Sequence, residues 1–72
     1  MKKYLLVRVV ERDIEINQFE TRNEAEIFLR KDFNGVLACE LDSVTDFSLS
    51  DNGAYVDSKD CEYDWAIFEL AV

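Results

Sequence analysis

The sequence has no histidine and no proline, two glycines, two cysteines, and beyond residue 31 a single basic residue, Lys59. Without histidine there is no Ser-His-Asp triad and no Cys-His nucleophile pair, and the commonest transition-metal ligand is missing. Cys39 and Cys61 alone cannot supply the three or four nitrogen and sulfur ligands of a structural zinc site. Gly35 and Gly53 are too few and too far apart for a phosphate-cradling loop. No apolar run approaches the roughly 18 residues of a membrane span. Enzyme chemistry would have to rest on carboxylates, tyrosines or lysine. The expectation is therefore a protein that is not an enzyme and that uses no cofactor and no metal.

What is present is a chain of 72 residues, 49% apolar, with 16 acidic and 8 basic residues and a net charge of −8. That length predicts one domain, residues 1–72. The apolar content is that of a folded chain rather than an acidic disordered one. The charge argues against direct binding to nucleic acid or to an anionic membrane, both of which call for clustered Lys and Arg. It is also unevenly spread: residues 1–31 carry a net +1, residues 32–72 a net −9. Such a field steers a basic partner toward the C-terminal half, although an acidic surface also serves solubility.

Lys3 to Glu11 reads as a strand, with Leu5, Val7 and Val9 on one face and Tyr4, Leu6, Arg8 and Val10 on the other. The second face is less polar than a solvated one should be, so something covers part of it. Arg8 interrupts the apolar stretch and no small-residue cleavage site follows, so the segment is a strand of a cytoplasmic protein rather than a signal peptide. Free thiols at Cys39 and Cys61 fit that compartment, and a Cys39–Cys61 bridge, for which the sequence has no supporting framework, is the alternative. Glu11-Arg12-Asp13 turns the chain into a second strand through Ile14, Ile16 and Gln18. The turn lacks Asn-Gly, so a single bent strand is the alternative.

Thr21-Arg22-Asn23-Glu24 is a capping box. Ala25, Phe28, Leu29, Phe33, Val36, Leu37 and Leu41 follow at helical spacing, which predicts one helix from Arg22 to about Leu41. Gly35 is its weak point, and the unbroken apolar phase favours continuation across it. Val44, Phe47 and Leu49 open a strand, Asp51-Asn52-Gly53 a turn and Ala54-Tyr55-Val56 a short return strand. Asp57-Ser58-Lys59 reads as a loop, and Asp60 to Leu70 as the last strand. The fold class is α+β, a two-layer β-β-α-β-β arrangement in which one long helix packs on an antiparallel sheet. Phe28, Phe33, Phe47, Phe68 and Trp65 are expected in its core.

In the last strand Asp60, Glu62 and Asp64 alternate with Cys61, Tyr63 and Trp65. Extended backbone places the three carboxylates on one face at intervals of about 6.7 Å. A row of that kind resembles a phosphate backbone, or else keeps a strand edge from pairing. Tyr55 and Tyr63 are expected beside it, half exposed. The candidate partner-binding residues are thus Asp57, Asp60, Glu62, Asp64, Tyr55 and Tyr63.

Thr21-Arg22-Asn23-Glu24-Ala25, Ser50-Asp51-Asn52-Gly53-Ala54-Tyr55-Val56 and Tyr63-Asp64-Trp65-Ala66-Ile67-Phe68-Glu69-Leu70 together resemble a pattern in small acidic proteins of bacteria and their phages and mobile elements. Some phage proteins of that size and charge are anti-CRISPR inhibitors, which bind a nuclease complex and block access of nucleic acid. The resemblance implies an inhibitor without catalysis and transfers no functional residue position by position.

The leading expectation is a non-enzymatic binding protein that occupies a basic surface of a nucleic-acid-binding protein or nuclease complex. A second is a structural or assembly module, in which Tyr4, Leu6 and Val10 form a homodimer or dock on a larger complex. A third is a metal-dependent hydrolase built on Asp51, Asp57 and Asp60.

Overall fold

The computed structural model describes residues 2–71, with the side chains of residues 3–70. Strand β1 (Lys2–Val10) turns at Glu11-Arg12 into β2 (Asp13–Phe19), and helix α1 (Arg22–Cys39) follows. Strands β3 (Val44–Leu49), β4 (Gly53–Ser58) and β5 (Glu62–Ala71) complete the chain. All neighbouring strands are antiparallel, in the order β2-β1-β5-β4-β3. The last strand therefore lies at the centre and joins the two halves of the chain through its pairing with β1.

This is the expected α+β two-layer arrangement, and the three segments read as strands after the helix are all present, one more than the order β-β-α-β-β counts. The short return strand expected at Ala54–Val56 spans Gly53–Ser58 and takes in Asp57 and Ser58, which the sequence pattern leaves in a loop. The last strand begins at Glu62 rather than Asp60. The segment around Glu11 is a hairpin: Val10 faces Asp13 across a two-residue turn. Glu11 takes the positive φ of 55° that such a turn demands and that glycine or asparagine usually supplies.

Helix α1 links β2 at one edge of the sheet to β3 at the other, so it crosses the whole of one face. Eighteen residues give about 27 Å of helix, and five strands about 19 Å of sheet, so one helix suffices. Thr21 is the N-cap, its Oγ1 accepting from the Glu24 N–H at 3.2 Å. Arg22 ties this end to the β3–β4 turn by donating to the Asp51 carbonyl at 3.2 Å and to Asn52 Oδ1. The helix runs unbroken through Gly35, where a Cβ would meet nothing within 4 Å. It ends at Cys39, short of Leu41, which stays exposed.

The core lies between α1 and one sheet face. Ala25, Leu29, Phe33 and Val36 pack on Leu6, Val56, Trp65 and Ile67, all buried. The face of β1 carrying Tyr4, Leu6, Arg8 and Val10 is thus the covered one, which explains its apolar character and overturns its expected role as a homodimer surface. Leu6 has no exposed area at all. Arg8 lies on the same face, 3.3 Å from Asp32 and 3.4 Å from Glu15, and Trp65 Nε1 donates to Asp32 Oδ2 at 2.9 Å. The indole N–H of the one buried tryptophan thereby has its acceptor.

Of the phenylalanines expected in the core, only Phe33 is buried. Phe28 sits at the helix flank against Phe19, with ring centroids 5.5 Å apart. Phe47 lies on an edge strand with Phe33 beside it at 6.3 Å. Phe68 is on the opposite sheet face. Gly53 is required by close approach rather than by its turn: its φ is not positive, and a Cβ there would lie 2.5 Å from the Trp65 carbonyl oxygen.

Candidate functional site: an acidic corner of the open sheet face

Because side chains of a strand alternate between faces, the sheet register assigns every residue to the covered or the open side. On the open side β2 presents Ile14, Ile16 and Gln18, and β1 presents Leu5, Val7 and Val9. Strand β5 presents Glu62, Asp64, Ala66, Phe68 and Leu70. Opposite its first residues stand Asp57 and Tyr55 of β4, and beyond these Asp46 and Ser48 of β3. Among the described residues no other element packs on this side. Ile14, Ile16 and Phe68 are 65%, 61% and 53% exposed.

The open face therefore has two regions. One is apolar and spans β2, β1 and the second half of β5. The other is a corner where β5 begins, β4 ends and β3 begins, and there the carboxylates meet. Asp46 faces Asp57, and Asp57 faces Glu62, so three carboxylates form a row across three adjacent strands at intervals of about 4.8 Å. Asp64 stands one step along β5, opposite Tyr55. Among the described residues none of these four carboxylates has an ion-pair partner.

Like charges directly opposite one another in an antiparallel pair destabilise it, by an amount of about 0.2–1 kcal/mol. Two such pairs in succession are a cost that folding alone gives no reason to keep. Tyr55 is held within the corner, its hydroxyl donating to Asp46 Oδ2 at 3.0 Å. That hydrogen bond, with the charges of Asp46 and Asp57, raises its pKa above the ordinary tyrosine value.

The expected site residues are thus partly reunited and partly separated. Asp57, Glu62, Asp64 and Tyr55 share the corner. Asp60 lies outside it, in the exposed β4–β5 turn, so the row runs across strands rather than along one. Tyr63 points to the covered face, where it stacks on Trp65 with centroids 6.1 Å apart. Burial, a hydrogen bond with Cys61 and the nearby acidic groups push its pKa up to about 12, against the lowering effect of Arg8. Asp46 is the member that sequence reasoning missed. Counting equal steps back from the two-residue Asp51-Asn52 turn would have placed it opposite Asp57.

The three carboxylates of the hydrolase reading do not converge. Asp51 lies at one end of β4, 3.8 Å from Arg30, and Asp57 lies toward the other. Among the described residues no group of three or more acids and thiols is arranged to hold a metal ion. Cys39 and Cys61 are both free thiols. A cleft of about 460 Å³ beside the β1–β2 hairpin is lined by Arg8, Val10, Asp13, Ile14 and Glu15, and takes in none of the corner. Among the described residues no helix is long and apolar enough to cross a membrane. Comparison with known proteins finds no family model, no curated protein and no solved structure that matches this chain.

Proposed function

We propose that this chain is a non-enzymatic binding protein whose acidic corner occupies a basic, nucleic-acid-binding surface of another protein and so competes with nucleic acid for it. The observation that carries the reading is the cross-strand row Asp46–Asp57–Glu62, with Asp64 beside it and, among the described residues, no cation paired to any of them. The row carries one negative charge about every 4.8 Å, against one per roughly 3.4 Å of axis on a DNA strand. A basic surface that neutralises the row would remove the internal repulsion as it binds, so the cost borne by the free protein favours the complex. Tyr55, anchored by Asp46, offers a fixed aromatic edge of the kind that dominates many interfaces. The nuclease complexes blocked by small acidic phage inhibitors are the partner class that the sequence resemblance implies. A cytoplasmic setting accords with the two free thiols.

The test is immobilisation of the protein, exposure to extract of its source cell, and washing at about 50 mM and 500 mM salt, since such binding weakens as screening rises. Retained proteins should be displaced by duplex DNA or RNA, and lost on the triple substitution Asp57→Asn, Glu62→Gln, Asp64→Asn. Asp60→Asn alone should leave them bound. Retention that is indifferent to the triple substitution would overturn the assignment.

A second reading, an assembly module whose acidic corner serves only solubility, is favoured by the exposed Ile14, Ile16 and Phe68. It predicts that the same triple substitution changes solubility and leaves association intact.

A further inference from the structure

The two edges of the sheet are treated differently. Strand β3 is blunted: its register with β4 shifts between Val44 and Asp46, and the Phe47 N–H, which points away from β4, is capped by its neighbour's Asp46 Oδ1 at 2.9 Å. A foreign strand arriving there finds a bulge, one of the devices that keep edges from pairing, and a donor already occupied. Strand β2 has neither. It is seven residues long and regular, and it contains no proline and no lysine. The two-residue turn makes Val10–Asp13 a hydrogen-bonded pair, so the pairs alternate from there. The backbone N–H and C=O groups of Ile14, Ile16 and Gln18 consequently point outward, and no group among the described residues bonds to them.

We propose that this edge pairs with the same edge of a second copy, antiparallel about a two-fold axis at Ile16, so that two five-stranded sheets become one continuous sheet. The strand's own sequence selects that occupant. Ile16 is the midpoint of Asp13–Phe19, so all seven residues find a partner. Ile16 faces Ile16 of the second copy, Ile14 faces its Gln18, Glu15 its Asn17 and Asp13 its Phe19. No carboxylate meets a carboxylate, although β2 has two.

The outward-facing backbone groups fall opposite one another in this register, giving about six inter-chain hydrogen bonds. The exposed side chains of Ile14 and Ile16 acquire cross-strand neighbours. The acidic corners, on β5, β4 and β3, are carried to the far ends of the joined sheet. There they lie more than about 20 Å apart, beyond the screening length of about 8 Å at physiological salt. The proposal is independent of what the acidic corner binds.

The experiment is sedimentation velocity of the full chain from about 1 µM to 500 µM, with amide hydrogen exchange by NMR at both ends of that range. A dimer that forms with concentration, and exchange at Ile14, Ile16 and Gln18 slowed at least about tenfold at the high end, is the expected result. Ile16→Lys, a change at an exposed position, should return the chain to monomer with its circular dichroism unchanged. A strict monomer throughout would overturn the proposal. So would a dimer in which those three amides exchange as in the monomer, which places the contact away from the β2 edge, or one that Phe68→Lys abolishes and Ile16→Lys spares, which places it on the open face.

Discussion

The two faces of the sheet obey different rules. On the covered face the centre is closed: Leu6, Val56, Trp65 and Ile67 are buried beneath α1, the Trp65 indole donates to Asp32, and Arg8 lies between two carboxylates, although its buried Nε makes no hydrogen bond. On the open face isoleucines and a phenylalanine face solvent, and carboxylates stand opposite carboxylates. One face is arranged for folding. The other carries features that folding alone would remove, and such features mark the surface where binding is to be sought.

The largest expected effect tests the covered face. Leu29→Ala empties a fully buried site and should destabilise the fold by about 2–5 kcal/mol in urea denaturation. Phe68→Ala, which removes a larger side chain from the open face, should cost well under half as much. Equal losses would mean that something covers the open face in the free protein.

The two tyrosines extend the comparison to alkaline pH. Both have pKa values raised by folding, Tyr63 chiefly through burial and Tyr55 chiefly through its hydrogen bond to Asp46. A group raised on folding contributes stability that is whole below its unfolded pKa, about 10 for tyrosine, and is lost as pH rises through the folded value. Stability should therefore hold to about pH 10 and fall toward the Tyr63 value of about 12. Tyr63→Phe should remove most of that fall. Asp46→Asn should lower the Tyr55 ionisation in an ultraviolet titration and leave that of Tyr63 in place.

The smallest effect has the opposite sign. Asp57→Asn relieves both of its opposed carboxylates at once and should stabilise the fold, by about 0.4–2 kcal/mol if the two pairs add. A loss of stability would show that the row is compensated within the chain and would remove the argument that it is kept for a partner.

Local chemistry was legible in the sequence where it depends on neighbours along the chain. Thr21 to Glu24 announces its cap, and the apolar phase carries the helix through Gly35. The alternation from Tyr4 to Val10 gives a strand with one face too apolar for water. The acidic corner was half legible. Glu62 and Asp64 share a face because they are two residues apart on one strand, and Asp57 was singled out by its place in the acidic half. Asp46 was not, because it joins the row only through a hairpin. Asp60 falls outside the row, because the chain turns before reaching β5. Tyr63 falls outside it too: alternation along β5 puts it on the other side from Glu62 and Asp64, on the face that α1 covers.

What the sequence by itself determined is therefore the set of elements, their periods and the excess of negative charge, all properties of residues a few positions apart. Only the tertiary structure decided which of two alternating faces would be buried. Either face of β1 is apolar enough to be covered, and the choice falls to the helix that spans the sheet from β2 to β3. The same assembly turned a row along one strand into a row across three, because cross-strand distance depends on register and strand order rather than on separation in the chain.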